Sequence, residues 1–281
     1  MLRQRIITAV VLLLVLLPAM FYPSATPLTA LAIGFIAAAA WEWARLVGYG
    51  RAMSIGSAAT CALACGLAWA GGLVHQPMVW LWSLMACVWV IGGAWLLHGG
   101  MALWSRIPRA FRLAFGFLIL MAAWLALAQA RHVGVNFVLS IMALVWAADI
   151  SAYVAGRTWG GRIVAGKLAP TISPGKTWEG VAGAVVGVLL LALLWQWADG
   201  YFQSTAPSLY SRLLQSEHWI MLPALVGLVG ISVVGDLIES LLKRTAGVKD
   251  SSGLLPGHGG VLDRIDALLP VMPLALLLVS L

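Results

Sequence analysis

The stretch KDSSGLLPGHGGVLDRID, residues 249–266, joins two apolar runs at residues 219–242 and 265–281, and this contrast indicates the fold class. The chain has 281 residues, of which 62% are hydrophobic and only 10% are charged. A soluble domain would not be nearly two-thirds apolar, whereas runs of about 17–25 apolar residues are typical of transmembrane helices. Because a backbone in lipid must satisfy its own hydrogen bonds, we predict an all-α, polytopic integral membrane protein.

The apolar runs predict about nine transmembrane helices. They are residues 5–22, 26–44, 54–73, 78–97, 111–130, 134–155, 179–198, 219–242 and 265–281. All Lys and Arg residues except Arg131 and Arg212 then lie on the same side as the N-terminus. The positive-inside rule places that side, and the N-terminus, in the cytoplasm. The net charge of +7 is therefore mostly a topology signal, and we expect no nucleic-acid partner.

The chain divides into two predicted regions. Residues 1–130 form an N-terminal region of about five spans. Residues 131–281 form a catalytic region with basic cytoplasmic loops at residues 156–178 and 243–264. In the first region Glu42 is an unusual carboxylate near the cytoplasmic end of a span, where it could pair with Arg45 at i+3.

The end of the eighth span, GDLIESLLKR, carries four polar side chains on one helix face. They are Asp236, Glu239, Ser240 and Lys243, at i, i+3, i+4 and i+7. An ionisable group deep in a span costs about 2.5–3.5 kcal/mol, so such groups tend to face a wet cavity or a partner. A structural network of Asp236 with Lys243 would also explain the pattern. A functional site is favoured because the acidic face leads directly into residues 249–266.

Residues 249–266 combine carboxylates with cations. Asp263 and Asp266, at the start of the ninth span, could join Asp236 in binding Mg²⁺, which prefers oxygen ligands and is often completed by substrate phosphates. The cations suited to phosphate are Lys243, Arg244, Lys249 and Arg264. This mixture is what phosphoryl or nucleotidyl transfer requires.

The PGHGG segment, residues 256–260, is a candidate for close approach of a ligand. Gly259 and Gly260 give the backbone the necessary freedom. His258 could act as a general base, bind a phosphate or support the loop. Asp250, earlier in the stretch, is a further candidate for substrate binding.

The other basic loop supplies a second group of candidates. Asp149 and Tyr153 are at i and i+4 where the sixth span ends. Within GKLAPTISPGKTWEG, residues 166–180, the phosphate-binding types include Ser173, Lys176 and Thr177. The string GRIVAGKL departs from a P-loop at its last position and follows a helix, so we interpret SPGKT as an anion-binding turn at a helix N-terminus.

These motifs resemble those of a known enzyme family. The run S-x-L-K-R-x4-K-D-x-S-x2-L-P-x-H-G-G-V-x-D-R-I-D, residues 240–266, resembles without departure the signature of phosphatidate cytidylyltransferases, also called CDP-diacylglycerol synthases. D-x-x-A-Y at residues 149–153 and I-S-P-x-K-T-x-E-G at residues 172–180 also look like family motifs. The opening LRQRIITA and the multi-span layout are similar to bacterial members.

The resemblance implies a reaction and a location. CTP and phosphatidate would give CDP-diacylglycerol and pyrophosphate, with Mg²⁺, at the cytoplasmic face of a bacterial inner membrane. It also implies a metal centre on Asp236 and Asp263, to which the residues themselves add Asp266 and Asp149 as further candidates. K⁺ as a second cation, membrane lipids as partners and a homodimer are further implications.

The main alternative is an ion-coupled membrane transporter. Its carboxylates would be expected near mid-span. Here they lie near the cytoplasmic ends of the spans, beside basic, glycine-rich loops. The helical motif of CDP-alcohol transferases, D-G-x2-A-R-x8-G-x3-D-x3-D, is not found in the sequence.

Overall fold

The apolar runs form helices in the computed structural model, which describes residues 2–216 and 219–280. No β-strand occurs in these residues, so the all-α prediction is confirmed. The helices are α1 (Leu2–Phe21), α2 (Thr26–Val47), α3 (Arg51–Ala70), α4 (Val79–Cys87), α5 (Gly93–Arg106), α6 (Arg109–Val133), α7 (Val135–Trp159), α8 (Trp178–Tyr201), α9 (Leu209–Ser216), α10 (Met221–Thr245), α11 (Leu262–Ile265) and α12 (Leu268–Ser280). A π-helical segment, Val88–Gly92, joins α4 to α5 and makes them one span.

Eight helical spans in the described residues are long and apolar enough to cross a membrane. The ninth predicted run corresponds to the shorter helix α12, which has 13 residues and follows the single turn of α11. At a rise of about 1.5 Å per residue, α12 is about 20 Å long and falls short of a hydrocarbon core about 30 Å thick.

Helices from both predicted regions pack against one another. The last helix, α12, contacts α4, α6, α7 and α10, and α10 also packs on α5. The division of the chain into two regions at residue 130 therefore remains a prediction. Residues from both regions contribute to one apolar core.

Helices α7 and α8 approach each other closely because small residues line their contact. A Cβ placed on Gly183 of α8 would lie 2.2 Å from the Cβ of Ala155 and 3.0 Å from the carbonyl oxygen of Ser151, both on α7. Without a side chain at residue 183 the backbones pack together, as small residues allow in membrane helices. This contact sets the position of the loop between the two helices, residues 160–177.

We expect Gly183→Ala to destabilise the protein, because the new methyl group would force α7 and α8 apart. Overpacking of this kind costs about 1–3 kcal/mol. The matched control is Gly227→Ala on α10, where an added Cβ meets no atom within 4 Å. Thermal unfolding in detergent should show a lower midpoint for Gly183→Ala only. Equal midpoints for the two variants would contradict the close packing.

Candidate active site

A cavity of about 410 Å³ lies between α7, α8 and α10. Five residues that the sequence analysis selected line it: Asp149, Tyr153, Lys176, Thr177 and Asp236. The ammonium nitrogen of Lys176 lies 2.5 Å from Oδ2 of Asp236, and both side chains are partly exposed. The cavity thus carries both charges and is open to solvent, which suits a polar, charged ligand.

Lys176 is positioned by the start of α8. Thr177 is the N-cap residue, and its hydroxyl accepts a hydrogen bond from the amide of Gly180 at 3.1 Å. Such a cap contributes about 1 kcal/mol. The prediction that SPGKT leads to a helix N-terminus is therefore confirmed. The hydroxyl of Thr177 also has a structural role, in addition to its predicted role in phosphate binding.

The preceding loop is held by one buried carboxylate. Oε1 of Glu179 accepts hydrogen bonds from the backbone amides of Gly161, Ile163 and Val164, at 3.0–3.1 Å. Because Glu179 lies in the first turn of α8, it fixes the loop to the same helix end that positions Lys176. The loop is therefore anchored at its beginning and at its end.

A second charged cluster lies between α10 and α11. Lys243 bridges two carboxylates, with its ammonium nitrogen 2.5 Å from Glu239 and 2.6 Å from Oδ1 of Asp263. The side chains are 15%, 3% and 7% exposed respectively, so these contacts are shielded from water. Lys243, Glu239 and Asp263 therefore help to hold the helices together, and Lys243 and Asp263 are also candidate catalytic residues.

The second carboxylate oxygen of Asp263 is bound by residues 246–262, which join α10 to α11 and are called the signature loop below. Oδ2 accepts hydrogen bonds from the amides of Ser251 and Gly260, at 2.9 and 2.8 Å. Burial alone would raise the pKa of Asp263, but hydrogen bonds with Glu239, Lys243 and these amides outweigh it and lower the pKa to about 2. Asp263 is therefore an ionised carboxylate at neutral pH.

The two clusters are connected through α10 and α11. Asp236 is followed one turn later by Ser240, whose hydroxyl donates to Oδ1 of Asp236 at 3.3 Å. Asp266 follows Asp263 at i+3 and lies within electrostatic range of Asp236, Asp149 and Lys176. Asp266 thus belongs with the charged residues at the cavity, Asp149, Lys176 and Asp236, which form the first cluster. Asp263 makes its contacts in the second cluster, with Lys243.

The donors near the first cavity fit a hard divalent cation. Asp149, Asp236 and Asp266 supply carboxylate oxygens, and Asp149 is exposed and lines the cavity. No group of three or more His, Cys, Asp or Glu in the described residues is arranged as a ready metal site. Asp236 pairs with Lys176, and Asp263 pairs with Lys243. A centre shared by Asp236 and Asp263 remains a prediction.

Glu42 of α2 is fully buried and accepts hydrogen bonds from four groups of the signature loop. Oε1 accepts from the Ser252 hydroxyl and the Val261 amide, at 2.5 and 2.9 Å. Oε2 accepts from the Ser251 hydroxyl and the Leu262 amide, at 3.0 and 2.7 Å. The loop is thereby fixed to a helix more than 200 residues earlier in the chain.

The expected pairing of Glu42 with Arg45 was wrong. The guanidinium of Arg45 instead lies 4.6 Å from the ring centre of Trp41, a cation–π contact. The carboxylate of Glu42 binds the signature loop because four hydrogen-bond donors there satisfy a buried carboxylate better than the single exposed side chain of Arg45 would. Close packing also requires a glycine there, since a Cβ on Gly260 would lie 2.0 Å from the Ser251 hydroxyl oxygen.

The remaining predicted residues lie at the edges of the two clusters. The guanidinium of Arg244 donates to the carbonyl of Ile172 at 3.4 Å, which links the end of α10 to the first loop beside Ser173. Arg264 donates through Nε and Nη2 to the carbonyl of His258, at 2.9 and 2.5 Å. Lys249 and Asp250 are exposed on the signature loop.

His258 and Gly259 shape the turn of the PGHGG segment. The amide of His258 donates to the carbonyl of Leu255 at 2.8 Å, and Nδ1 of its ring is buried without a hydrogen-bond partner in the described residues. Gly259 has a φ of +83° and lies against Asp263. None of the three roles considered for His258 is selected by these contacts.

Sequence reasoning missed two contributions to the site. Arg157 lines the first cavity and donates from Nη1 to the Tyr153 hydroxyl at 2.7 Å. Its i+4 spacing from Tyr153 could have indicated this. The hydrogen bonds from Ser251 and Ser252 to Glu42 gave no local signal, because the partners are so distant in sequence.

The chain belongs to the cytidylyltransferase family, whose family model matches residues 3–281. The phosphatidate cytidylyltransferase of Pseudomonas aeruginosa is 40% identical, over 97% of this chain and 95% of the relative. The enzyme of the same name from Haemophilus influenzae is 35% identical, over 97% and 96%. That of Bacillus subtilis is 39% identical over 53% of this chain and 49% of its own length. The resemblance that the motifs predicted is confirmed, and with it the prediction of an enzyme of this type.

We expect Glu42→Gln to reduce turnover, because the amide would place an NH₂ donor against two of the four donors that now face a carboxylate. A buried donor left without an acceptor costs about 1–3 kcal/mol of stability. Because the altered loop would no longer hold Asp263 in place, kcat should fall as well. The control is Arg45→Gln, which leaves the contacts of Glu42 intact. Wild-type kcat in Glu42→Gln, measured on folded protein, would show that the loop does not depend on this residue.

Lys243→Met should destabilise the protein strongly, because it leaves Glu239 and Asp263 buried and close together without a cation. Breaking a buried ion pair on one side costs about 3–5 kcal/mol. The double variant Lys243→Met with Asp263→Asn removes the ionised carboxylate that Lys243 neutralises and should recover part of the lost thermal stability. If the double variant is no more stable than the single one, the unpaired charge of Asp263 is not the cause.

Proposed function

We propose that the protein transfers the cytidylyl group of CTP to phosphatidate, forming CDP-diacylglycerol and releasing pyrophosphate. The family and the names of its full-length relatives support this reaction. The observation that carries it is the cavity between α7, α8 and α10, which places carboxylates and a Lys176 ammonium on one opening. Carboxylates suit a metal–nucleotide complex, and cations suit phosphates.

In the proposed reaction a phosphate oxygen of phosphatidate attacks the α-phosphorus of CTP, and the bond to the pyrophosphate oxygen breaks. Lys176 and Arg157 bind phosphate oxygens in the cavity and offset the negative charge of the two substrates. Arg244, Lys249 and Ser173 bind at the loop edges. No general base is needed, because the attacking phosphate is already anionic near pH 7.

The carboxylates of the first cluster would hold Mg²⁺, which when bound neutralises charge on the reacting phosphates. Asp236 is the central ligand, since it lines the cavity, lies within electrostatic range of Asp266 and accepts a hydrogen bond from Ser240. Asp149 completes the set from α7. Asp263 either joins this centre or positions the loop, and K⁺ is proposed as a second cation.

The site is proposed to face the cytoplasm from the inner membrane of a bacterium, in phospholipid biosynthesis. The asymmetry of Lys and Arg supports this orientation, because both loops of the site belong to the basic side. There CTP arrives from water, while phosphatidate arrives from the surrounding lipid. A homodimer is proposed from the family resemblance.

The reaction is tested by incubating purified protein in detergent with Mg²⁺, radiolabelled CTP and phosphatidate. We expect label to enter the organic phase, and Asp236→Asn to reduce that rate about a hundredfold or more, because it removes charge from the proposed metal ligand. Removal of Mg²⁺ by a chelator should have a similar effect on the unsubstituted protein.

The matched control is Asp199→Asn, the same change at the opposite end of α8, where Asp199 bonds Asn136 and Ser211. Its activity per folded molecule should remain near that of the unsubstituted protein. No incorporation by the unsubstituted protein would contradict the proposed reaction. Ion-driven flux in reconstituted vesicles would then favour the transporter.

A further inference from the structure

A second cavity, of about 310 Å³, is almost wholly apolar and lies between α1, α2, α6, α7 and α12. On α1 its lining residues are Leu12, Leu16 and Met20, which follow the i, i+4, i+8 spacing of one helix face. This row is about 12 Å long at a rise of about 1.5 Å per residue, against about 15 Å for half of the hydrocarbon core. The cavity is therefore a groove along the helices with the length of a leaflet.

The groove ends at the signature motif. Val261, Arg264 and Ile265 line it from α11 and the residue before it, and Leu255 lines it from the loop. The same single turn carries Asp263 and leads into Asp266. One side of α11 thus borders apolar space, and its other side belongs to the charged clusters. Arg264 is the only charged residue among those described that line the groove.

Helix α1 covers the groove but is held loosely. Only 6% of its span is buried, and it packs mainly on α2. Near its cytoplasmic end the Thr8 hydroxyl donates to the carbonyl of Pro256 in the signature loop at 2.8 Å. A loosely packed helix at the bundle edge can move aside, which would let a lipid chain enter from the membrane.

We propose that this groove holds one acyl chain of the phospholipid substrate, with its phosphate placed beside Arg264. The inference rests on the proposed function for the identity of that lipid. Charge complementarity supports the orientation, since an apolar tail would lie along α1 and α12 and the anionic headgroup at the arginine.

The groove is tested by filling it with Leu16→Trp on α1. The matched control is Leu14→Trp, at a position of the same helix that is 69% exposed and outside the groove. Leu16→Trp should lower kcat/KM about tenfold for dipalmitoyl phosphatidate, less for dioctanoyl phosphatidate, and leave the KM for CTP unchanged. Equal loss for both chain lengths, or equal loss in Leu14→Trp, would overturn the proposal.

A second measurement uses phosphatidate with a photoactivatable diazirine on its acyl chain. We expect labelled peptides from α1 and α12, with labelling reduced by excess phosphatidate but not by phosphatidylethanolamine. Competition by both lipids alike would show an ordinary membrane-lipid groove and overturn the inference. Selective labelling without CTP-dependent product in the unsubstituted protein would instead contradict the proposed reaction and leave the lipid site standing.

Discussion

Charged groups inside an apolar helical bundle must be neutralised by partners, and in this protein that constraint organises the site. Lys243 lies between Glu239 and Asp263, so α10 cannot move away from α11 without leaving charge buried and unpaired. The second oxygen of Asp263 binds the loop amides, and Glu42 of α2 binds the same loop. Three helices and one loop therefore have their positions fixed by a few hydrogen-bonded charges.

The single turn of α11 divides two environments. Its charged side faces the clusters around Asp236 and Lys243, while Val261 and Ile265 border an apolar groove. The proposed reaction between a water-soluble nucleotide and a membrane lipid needs a charged environment and an apolar one side by side. A short helical segment at the end of the bundle supplies them, because successive residues of one turn point in different directions.

Much of the fold follows from the sequence because the physics of a span is local. Length and hydrophobicity of each run are enough to predict a helix, and eight predicted spans occur among the described residues. The ninth predicted span, residues 265–281, is not one continuous helix, because α11 ends at Ile265 and α12 begins only at Leu268. Helical spacing also predicted that Asp236 and Ser240 share one face of α10. The SPGKT motif predicted that a helix, α8, begins beside Lys176.

The sequence by itself determined the membrane helices, the two polar loops and the residue types suited to phosphate and metal, because each depends on neighbours within a turn or two. The tertiary structure alone decided which residues meet across the bundle. It paired Asp236 with Lys176 and Asp263 with Lys243, and it brought Glu42 to Ser251 and Leu262. A buried carboxylate takes whichever donors the packed helices bring to it, and that choice has no signature in local spacing.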